Sequence, residues 1–396
     1  MREHIDKKAE EIREQIIEWR RDFHRHPELE LQCDRTAEVV SRQLQRLGLE
    51  VKTGLAGSGV TGLLTGSRPG PVVALRLDMD ALPLEEQTGL PFASTHNGVM
   101  HACGHDGHTA IGLGVATILA GLKEALPGSI KFIFQPGEEF PGGAKIMIEE
   151  GALADPAPEA IFGAHIFPGL PMEKIGLCYG TMTSRNDEFF ITLKGVGGHG
   201  AYPHNCKDPI VAAGHLILGI QNIVSRSINP LEPLVITIGA INGGAGCNVI
   251  PEKISLKGTI RSINEEIRKT AHERLRQVLE GIKTGQGVHY DLEIIPGDPP
   301  LKCDQDLTRF VEEELGRLIS PEDLIHISSP SLGAEDFAFY SELIPAVYLR
   351  LGSYDAVNGH INPLHTAYFT FNEELMIKGA KILAALVVRY LEKGRR

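Results

Sequence analysis

Several things are missing from this sequence, and each absence removes a class of function. Long apolar runs are missing. The longest, such as AIGLGVATILAGL, fall short of the ~20 residues needed to span a bilayer. CxxC pairs are missing too. The six cysteines (Cys33, Cys103, Cys178, Cys206, Cys247, Cys303) are scattered singly, which points to a reducing compartment, not a disulfide framework. The opening MREHIDKKAEEIREQIIEWRRDFHRH is too charged for the apolar core of a signal peptide, so a cytoplasmic protein is expected. Positive charge is scarce. Asp and Glu number 51 against 39 Lys and Arg, net −12, and no basic patch is interleaved with aromatics. That argues against a nucleic-acid binder, and neither nucleic acid nor membrane is an expected partner. GxxxxGK[ST], GxSxG and HExxH do not occur, which removes the P-loop, the nucleophile elbow and the zincin helix. Gly57-Ser-Gly59-Val-Thr-Gly62 matches GxGxxG, but LLTGSRPG follows where a helix should start.

What is present fits an ordinary globular chain. At a soft ~150 residues per domain, 396 residues make two domains the better reading. Hydrophobic residues at 42% and charged residues at 23% leave enough material for a sizeable core. Ile5, Ile12, Ile16, Trp19 and Phe23 recur at helical spacing and predict an opening amphipathic helix. A second helix is expected over 36–47, ended by Gly48, and a Gly- and Ala-rich one over 105–122. Strand-like runs at 60–64, 71–80, 130–136 and 160–167 alternate with these helices, which predicts an α/β sheet covered on both faces. From about Ser184 the order becomes strand, helix, two strands, helix, strand, a compact α+β (ferredoxin-like) unit ending near the Pro-rich IPGDPP. The α/β pattern then resumes. The expected architecture is therefore a mixed-sheet catalytic domain (1–183 plus 297–396) with an inserted α+β domain (184–296).

The densest cluster of reactive side chains is MHACGHDGHTA (100–110), placed where a helix begins. The strand before it ends in Asp78-Met-Asp80, the next in Gln135-Pro-Gly-Glu138-Glu139, and the one after carries His165. In α/β sheets ligands sit beyond the carboxyl ends of strands. Thiolate, imidazole and carboxylate are the donors zinc accepts, and a Glu-Glu pair can supply one ligand and one base. Taken singly each piece is ordinary. A lone Cys is a small core residue, and His165 on an apolar strand would be a satisfied core histidine. His108, a turn from His105, could be a ligand but reads as helix packing. Their convergence is what points to metal.

VALRLDMDALPLEEQTGLPF, MHACGHDGHTA, FIFQPGEE, GGHGAYPH, NVIPE, GTIR, EDFAFY and PLHTAYF together resemble one family. It is that of the bacterial and plant N-acyl-amino-acid amidohydrolases, of the hippurate hydrolase and auxin-conjugate hydrolase type. That family lies within the aminoacylase and carboxypeptidase superfamily of two-metal hydrolases. The match runs from about Ile16 to the C-terminal helix. The resemblance implies that Cys103, His105, Glu139, His165 and His365 hold two divalent metal ions per subunit, with Glu138 as general base. It assigns Asp80 to orienting a ligand imidazole, and His199 to the oxyanion of the tetrahedral intermediate, often in the partner subunit's site. Without the resemblance His199 would read as a loop histidine in a Gly-rich turn.

Asn248 and Arg261 match positions that grip the substrate carboxylate, though Arg261 could equally be a surface strand residue. Glu335 and Asp336 read as pocket wall or helix cap. The wider superfamily has His-x-Asp where this chain has Asp78-Met-Asp80, and Cys103 makes up the missing ligand. A thiolate suits zinc and an oxygen–nitrogen set suits manganese, so the metal stays open, with cobalt and nickel as further candidates. The implied reaction is hydrolysis of N-acyl-L-amino acids to acid plus free amino acid. The alternatives are a dipeptidase or carboxypeptidase of the same superfamily, or a binding homologue that has lost turnover. A homodimer or higher oligomer is expected, with the inserted domain as lid and pairing surface.

Overall fold

The apolar spacing at the start of the chain produces α1 (Arg2–Glu11) and α2 (Arg13–Arg25), which turn Ile5, Ala9, Ile16, Trp19 and Phe23 inward. Where one helix was expected there are two, because Ile12 leaves helical angles at φ −102°, ψ 9°. The computed structural model describes residues 1–355 and 362–393. Contacts divide the chain into two compact units, Met1–Met182, Leu301–Ser329 and Glu335–Arg396 in one, Thr183–Pro300 and Pro330–Ala334 in the other.

In the first unit, α3 (Asp34–Arg46) leads into β1 (Glu50–Leu55), β2 (Gly59–Thr65) and β3 (Arg68–Asp78). Then come α4 (His105–Ala120), β4 (Pro127–Gln135), α5 (Gly143–Glu149), β5 (Ala160–Pro171), β6 (Ile175–Leu177) and β7 (Gly180–Thr181). Among the described residues eight strands form one mixed sheet, completed by β15 (Leu324–His326) and β16 (Ala346–Tyr354), in the order β1-β2-β4-β3-β5-β16-β6-β15. The heart of it, β4, β3, β5 and β16, is parallel. That is why 71–78 and 130–135 read as continuous apolar runs: both faces are covered. α4 is buried nearly all round, and its glycines permit this. A Cβ on Gly112 would lie 2.6 Å from Leu77 Cγ.

The second unit holds β8 (Arg185–Lys194), β9 (Gly198–His199), α6 (Pro209–Asn222), β10 (Leu234–Asn242), β11 (Val249–Ile250), β12 (Lys253–Ser262), α7 (Glu265–Gln286) and β13 (His289–Pro296). Its main sheet is antiparallel in the order β10-β12-β8-β13, the strand order of a ferredoxin-like βαββαβ. Phe189, Ile191 and Leu193 alternate inward along β8. Residues 330–334 group with this unit: Ser184 N–H donates to the Gly333 carbonyl at 3.1 Å. The chain then closes the first unit with β14 (Lys302–Cys303), α8 (Gln305–Leu318), β15 (Leu324–His326), α9 (Ala338–Ser341), β16 (Ala346–Tyr354) and α10 (Glu374–Lys393).

One buried ion pair anchors the helices to the site. Arg20 on α2, 1% exposed, donates from Nε to Asp106 Oδ2 at 2.8 Å. Its guanidinium stacks 4.7 Å from the Phe92 ring centroid and 4.6 Å from that of Phe371. Asp106 follows His105 directly, so the pair fixes the first turn of α4. Removing Arg20 would leave the buried Asp106 carboxylate with only His24 Nδ1, 2.8 Å from Oδ2, of these two partners. Arg20→Met should therefore cost about 3–5 kcal/mol, read as a lower urea midpoint in the fluorescence of Trp19, the chain's only tryptophan. An unchanged midpoint would show that the pair is dispensable.

Candidate metal centre

The ends of β3 and β4, the start of α4, the middle of β5 and the turn carrying His365 supply the candidate residues of the first unit. β3 ends at Asp78 and continues into Met79 and Asp80. The Asp80 carboxylate accepts two backbone amides, Glu138 N–H on Oδ1 and Glu139 N–H on Oδ2, each at 3.0 Å. The Asp80 carbonyl lies 2.9 Å from His105 Nδ1. His105 Nε2 is buried with no hydrogen-bond partner, 3.9 Å from both Asp78 Oδ1 and Glu138 Oε2. Burial alone would lower the His105 pKa, but Asp78 foremost, then Asp80 and Glu139, raise it to about 10.

Gly104, at φ +90°, turns the chain into α4 and separates His105 from Cys103. The Cys103 thiol is buried with Sγ 3.3 Å from His165 Nε2, and burial together with Glu139 and Glu138 pushes its pKa well up. His165 Nδ1 donates to the Ile166 carbonyl at 2.6 Å. His365 sits in a left-handed turn at φ +59°, its side chain 52% exposed, with Nε2 3.0 Å from Glu139 Oε1. The two adjacent glutamates are driven apart. Burial, with Glu335, Glu139 and Asp336 nearby, holds the Glu138 carboxyl well above its ordinary range. Burial also acts on Glu139, but the His365 hydrogen bond and the His105 charge outweigh it and lower its pKa. The unlike surroundings of the two neighbours thus shift them in opposite directions.

Donor atoms fall into overlapping groups, each within 4.8 Å: Cys103, His105 and His165; Cys103, Glu139 and His365; His105, Glu138 and Glu139. The orphaned His105 Nε2 and the mix of sulfur, nitrogen and oxygen donors fit a borderline divalent cation. Asp78, His105 and His108 also cluster, but both nitrogens of His108 are taken, Nδ1 by Asp78 Oδ1 and Nε2 by Ile166 N–H.

Arg76 is a residue the sequence reading missed. Fully buried on β3, it donates to Gln135 Oε1 at 2.9 Å, Asp78 Oδ2 at 2.5 Å and Asp336 Oδ1 at 2.6 Å. Glu335 accepts from Phe337 N–H and Tyr348 Oη, and Asp336 from Ala144 N–H, so both are buried structural acceptors beside Arg76. The available signal was an arginine inside the apolar run VVALRLD.

The remaining candidates belong to the second unit. His199 on β9 is exposed, faces Val249 across the β9–β11 pair, and accepts Ala201 N–H on Nδ1 at 3.1 Å. Gly200 N–H donates to the Asn248 carbonyl at 2.8 Å, which places Asn248 alongside His199. Arg261 lies on β12 opposite Asn186 and donates from Nη1 to the Leu332 carbonyl at 2.9 Å.

Known proteins are similar to this chain over most of its length. An N-acetylcysteine deacetylase of Bacillus subtilis is 39% identical over 378 residues, 95% of this chain and 97% of its own. An N-acyl-L-amino acid amidohydrolase of Geobacillus stearothermophilus is 40% identical over 301 residues, 76% of this chain and 81% of its own. A solved Bacillus subtilis structure, described as a dinuclear metal binding peptidase from the M20 family, superposes with TM-score 0.83. It is 36% identical, covering 97% of this chain and 99% of that one. The profile of peptidase family M20/M25/M40 matches residues 74–389, and the chain belongs to that family.

Proposed function

We propose that the protein is a metal-dependent amidohydrolase that cleaves the amide bond of N-acyl-L-amino acids, releasing a carboxylic acid and the free amino acid. The observation that carries this is the oppositely shifted pair Glu138 and Glu139 beside the Cys103, His105, His165 and His365 donors. Two relatives that share most of the chain are named for N-acyl-amino-acid hydrolysis, which supports the substrate class. Cys103, His105, Glu139, His165 and His365 would hold two divalent ions. When bound, such ions polarise the amide carbonyl and make water more acidic.

The chain's own residues do the rest. Glu138 takes the proton of the attacking water and delivers it to the leaving nitrogen, and its buried setting raises its affinity for that proton. Asp80 holds the amides of both glutamates and the His105 imidazole in place. His199, exposed beside Asn248, is assigned to the oxyanion, and Asn248 with Arg261 to the substrate carboxylate. The Cys103 sulfur favours zinc over manganese, cobalt or nickel. All six cysteines are unpaired, which supports a cytoplasmic, reducing setting. No helix of the described residues is long and apolar enough to cross a membrane.

A homodimer is assigned to the second unit. β10 is an edge strand of its sheet, and Ile210, Val211 and Leu218 stand exposed on α6. Leu218→Glu should shift the sedimenting species toward monomer. A wild-type chain that sediments as a monomer would sink this assignment.

Amine release from a panel of N-acyl amino acids and dipeptides, with metal-loaded protein and a chelated control, tests the reaction. Chelator-sensitive release from the acylated amino acids is expected. Release from dipeptides alone would support the second reading, a peptidase, which the description of the solved relative favours. For the base, Glu138→Gln should keep its metal stoichiometry while turnover falls about 10²–10⁴-fold. Retained turnover would return Glu138 to a structural role.

A further inference from the structure

Parallel strands that open a crevice at their carboxyl ends stop pairing there, and the freed backbone groups need other partners. β3 and β5 pair only as far as Arg76↔Gly163, whereas β5 stays paired with β16 through Leu351↔Ile166 and Gly352↔Phe167. Beyond the last β3 pair, the Ile166 amide meets a side chain instead and donates to His108 Nε2 at 2.9 Å. A backbone amide can only donate. Nε2 therefore carries no proton, and the Nδ1–H donates to Asp78 Oδ1 at 2.5 Å. Asp78 is itself fixed by Arg76, and Thr109 Oγ1 donates to its carbonyl at 2.9 Å. His108, 1% exposed, thus bridges the end of β3 to β5 where their ladder has stopped.

The bridge leads to a candidate metal ligand. The Ile166 carbonyl accepts from His165 Nδ1, which leaves His165 Nε2 directed at Cys103 Sγ. The His108 ring packs edge-on against the His165 ring, centroids 4.7 Å apart. We propose that His108 is a positioning residue of the metal centre: by holding Ile166 it sets the tautomer and aim of His165. This rests on the two-metal reading above.

Two short amides separate the contacts. Asparagine reaches about as far as Nδ1 and glutamine about as far as Nε2. His108→Asn keeps a partner for Asp78 and drops Ile166, while His108→Gln keeps an acceptor for Ile166. Metal-free, folded protein is titrated with Zn²⁺ against a chromophoric chelator. His108→Asn should weaken one Zn²⁺ dissociation constant about 10–100-fold, the usual cost of losing a group that orients a ligand. His108→Gln should recover most of that loss. In a His165→Ala background His108→Asn should change the constant less than about threefold, because the ligand it aims is gone.

If His108→Asn lowers the melting temperature but binds Zn²⁺ as wild type does, the residue is packing and the proposal fails. A wild-type chain that takes up no divalent ion would fail the two-metal reading first, and this role with it. Should His108→Asn not fold, ¹⁵N-histidine NMR of the wild-type protein decides. A bare Nε2 on His108 is expected, and a protonated one overturns the bridge.

Discussion

Asp80 makes three bonds from one residue, and the geometry of the centre depends on them. Its two carboxylate oxygens hold successive amides, Glu138 N–H and Glu139 N–H, while its carbonyl meets His105 Nδ1. A single carboxylate that receives two successive amides fixes the backbone of the loop after β4. Glu138, Glu139 and His105 are then referred to one point at the end of β3. Each is a side chain on a loop or a helix start, and none would hold its place by packing alone. His365 shows the contrast. Its ring is half exposed, its backbone is left-handed, and it depends on Glu139 and on the bond from its own amide to the Ala102 carbonyl.

Electrostatics follow from that crowding. Asp78, Asp80, Glu138, Glu139, Glu335 and Asp336 converge on a space where Arg76 is the one permanent cation in hydrogen-bonding contact with them, among the described residues. Buried carboxylates without compensation are costly, so the excess must be met by protons or by cations. At Glu138 burial and the surrounding carboxylates, and at His105 the carboxylates against burial, favour the protonated form. Divalent ions at the sulfur, nitrogen and oxygen donors meet the same excess more strongly. A site that binds cations to relieve repulsion also keeps its base beside them.

Much of this was legible in the sequence because the chemistry sits in short motifs. Cys103 and His105 are two residues apart, Glu138 and Glu139 are neighbours, and each motif follows a strand whose apolar run is unmistakable. The mixed sheet and the βαββαβ order of the second unit agree with the pattern read from it. What escaped reading depends on long-range pairing. Arg76 meets Asp336 across 260 positions, and nothing local to either marks the other. β1 was missed because EVKTGL is an exposed edge strand with no inward face to write an alternation. Residues 330–334 join the second unit through carbonyls that accept from the Ser184 amide and the Arg261 guanidinium, which leave no compositional trace. His108 read as packing because an imidazole between two strand ends looks, in sequence, like any histidine on a buried helix.

The departure at position 78 gains a physical reading from these contacts. Asp78 turns its two oxygens to Arg76 and His108. A histidine there could accept from only one of them and would face Arg76 with a weak acceptor or a like charge. The exchange is therefore not local. An aspartate at 78 requires a cation on one side and a donor on the other, and it removes one nitrogen from the donor set. Cys103, with Sγ 3.3 Å from His165 Nε2, is the sulfur proposed above to take its place. Arg76, Asp78 and His108 behave as one coupled set: a change at any one of them leaves a buried group of another without its partner.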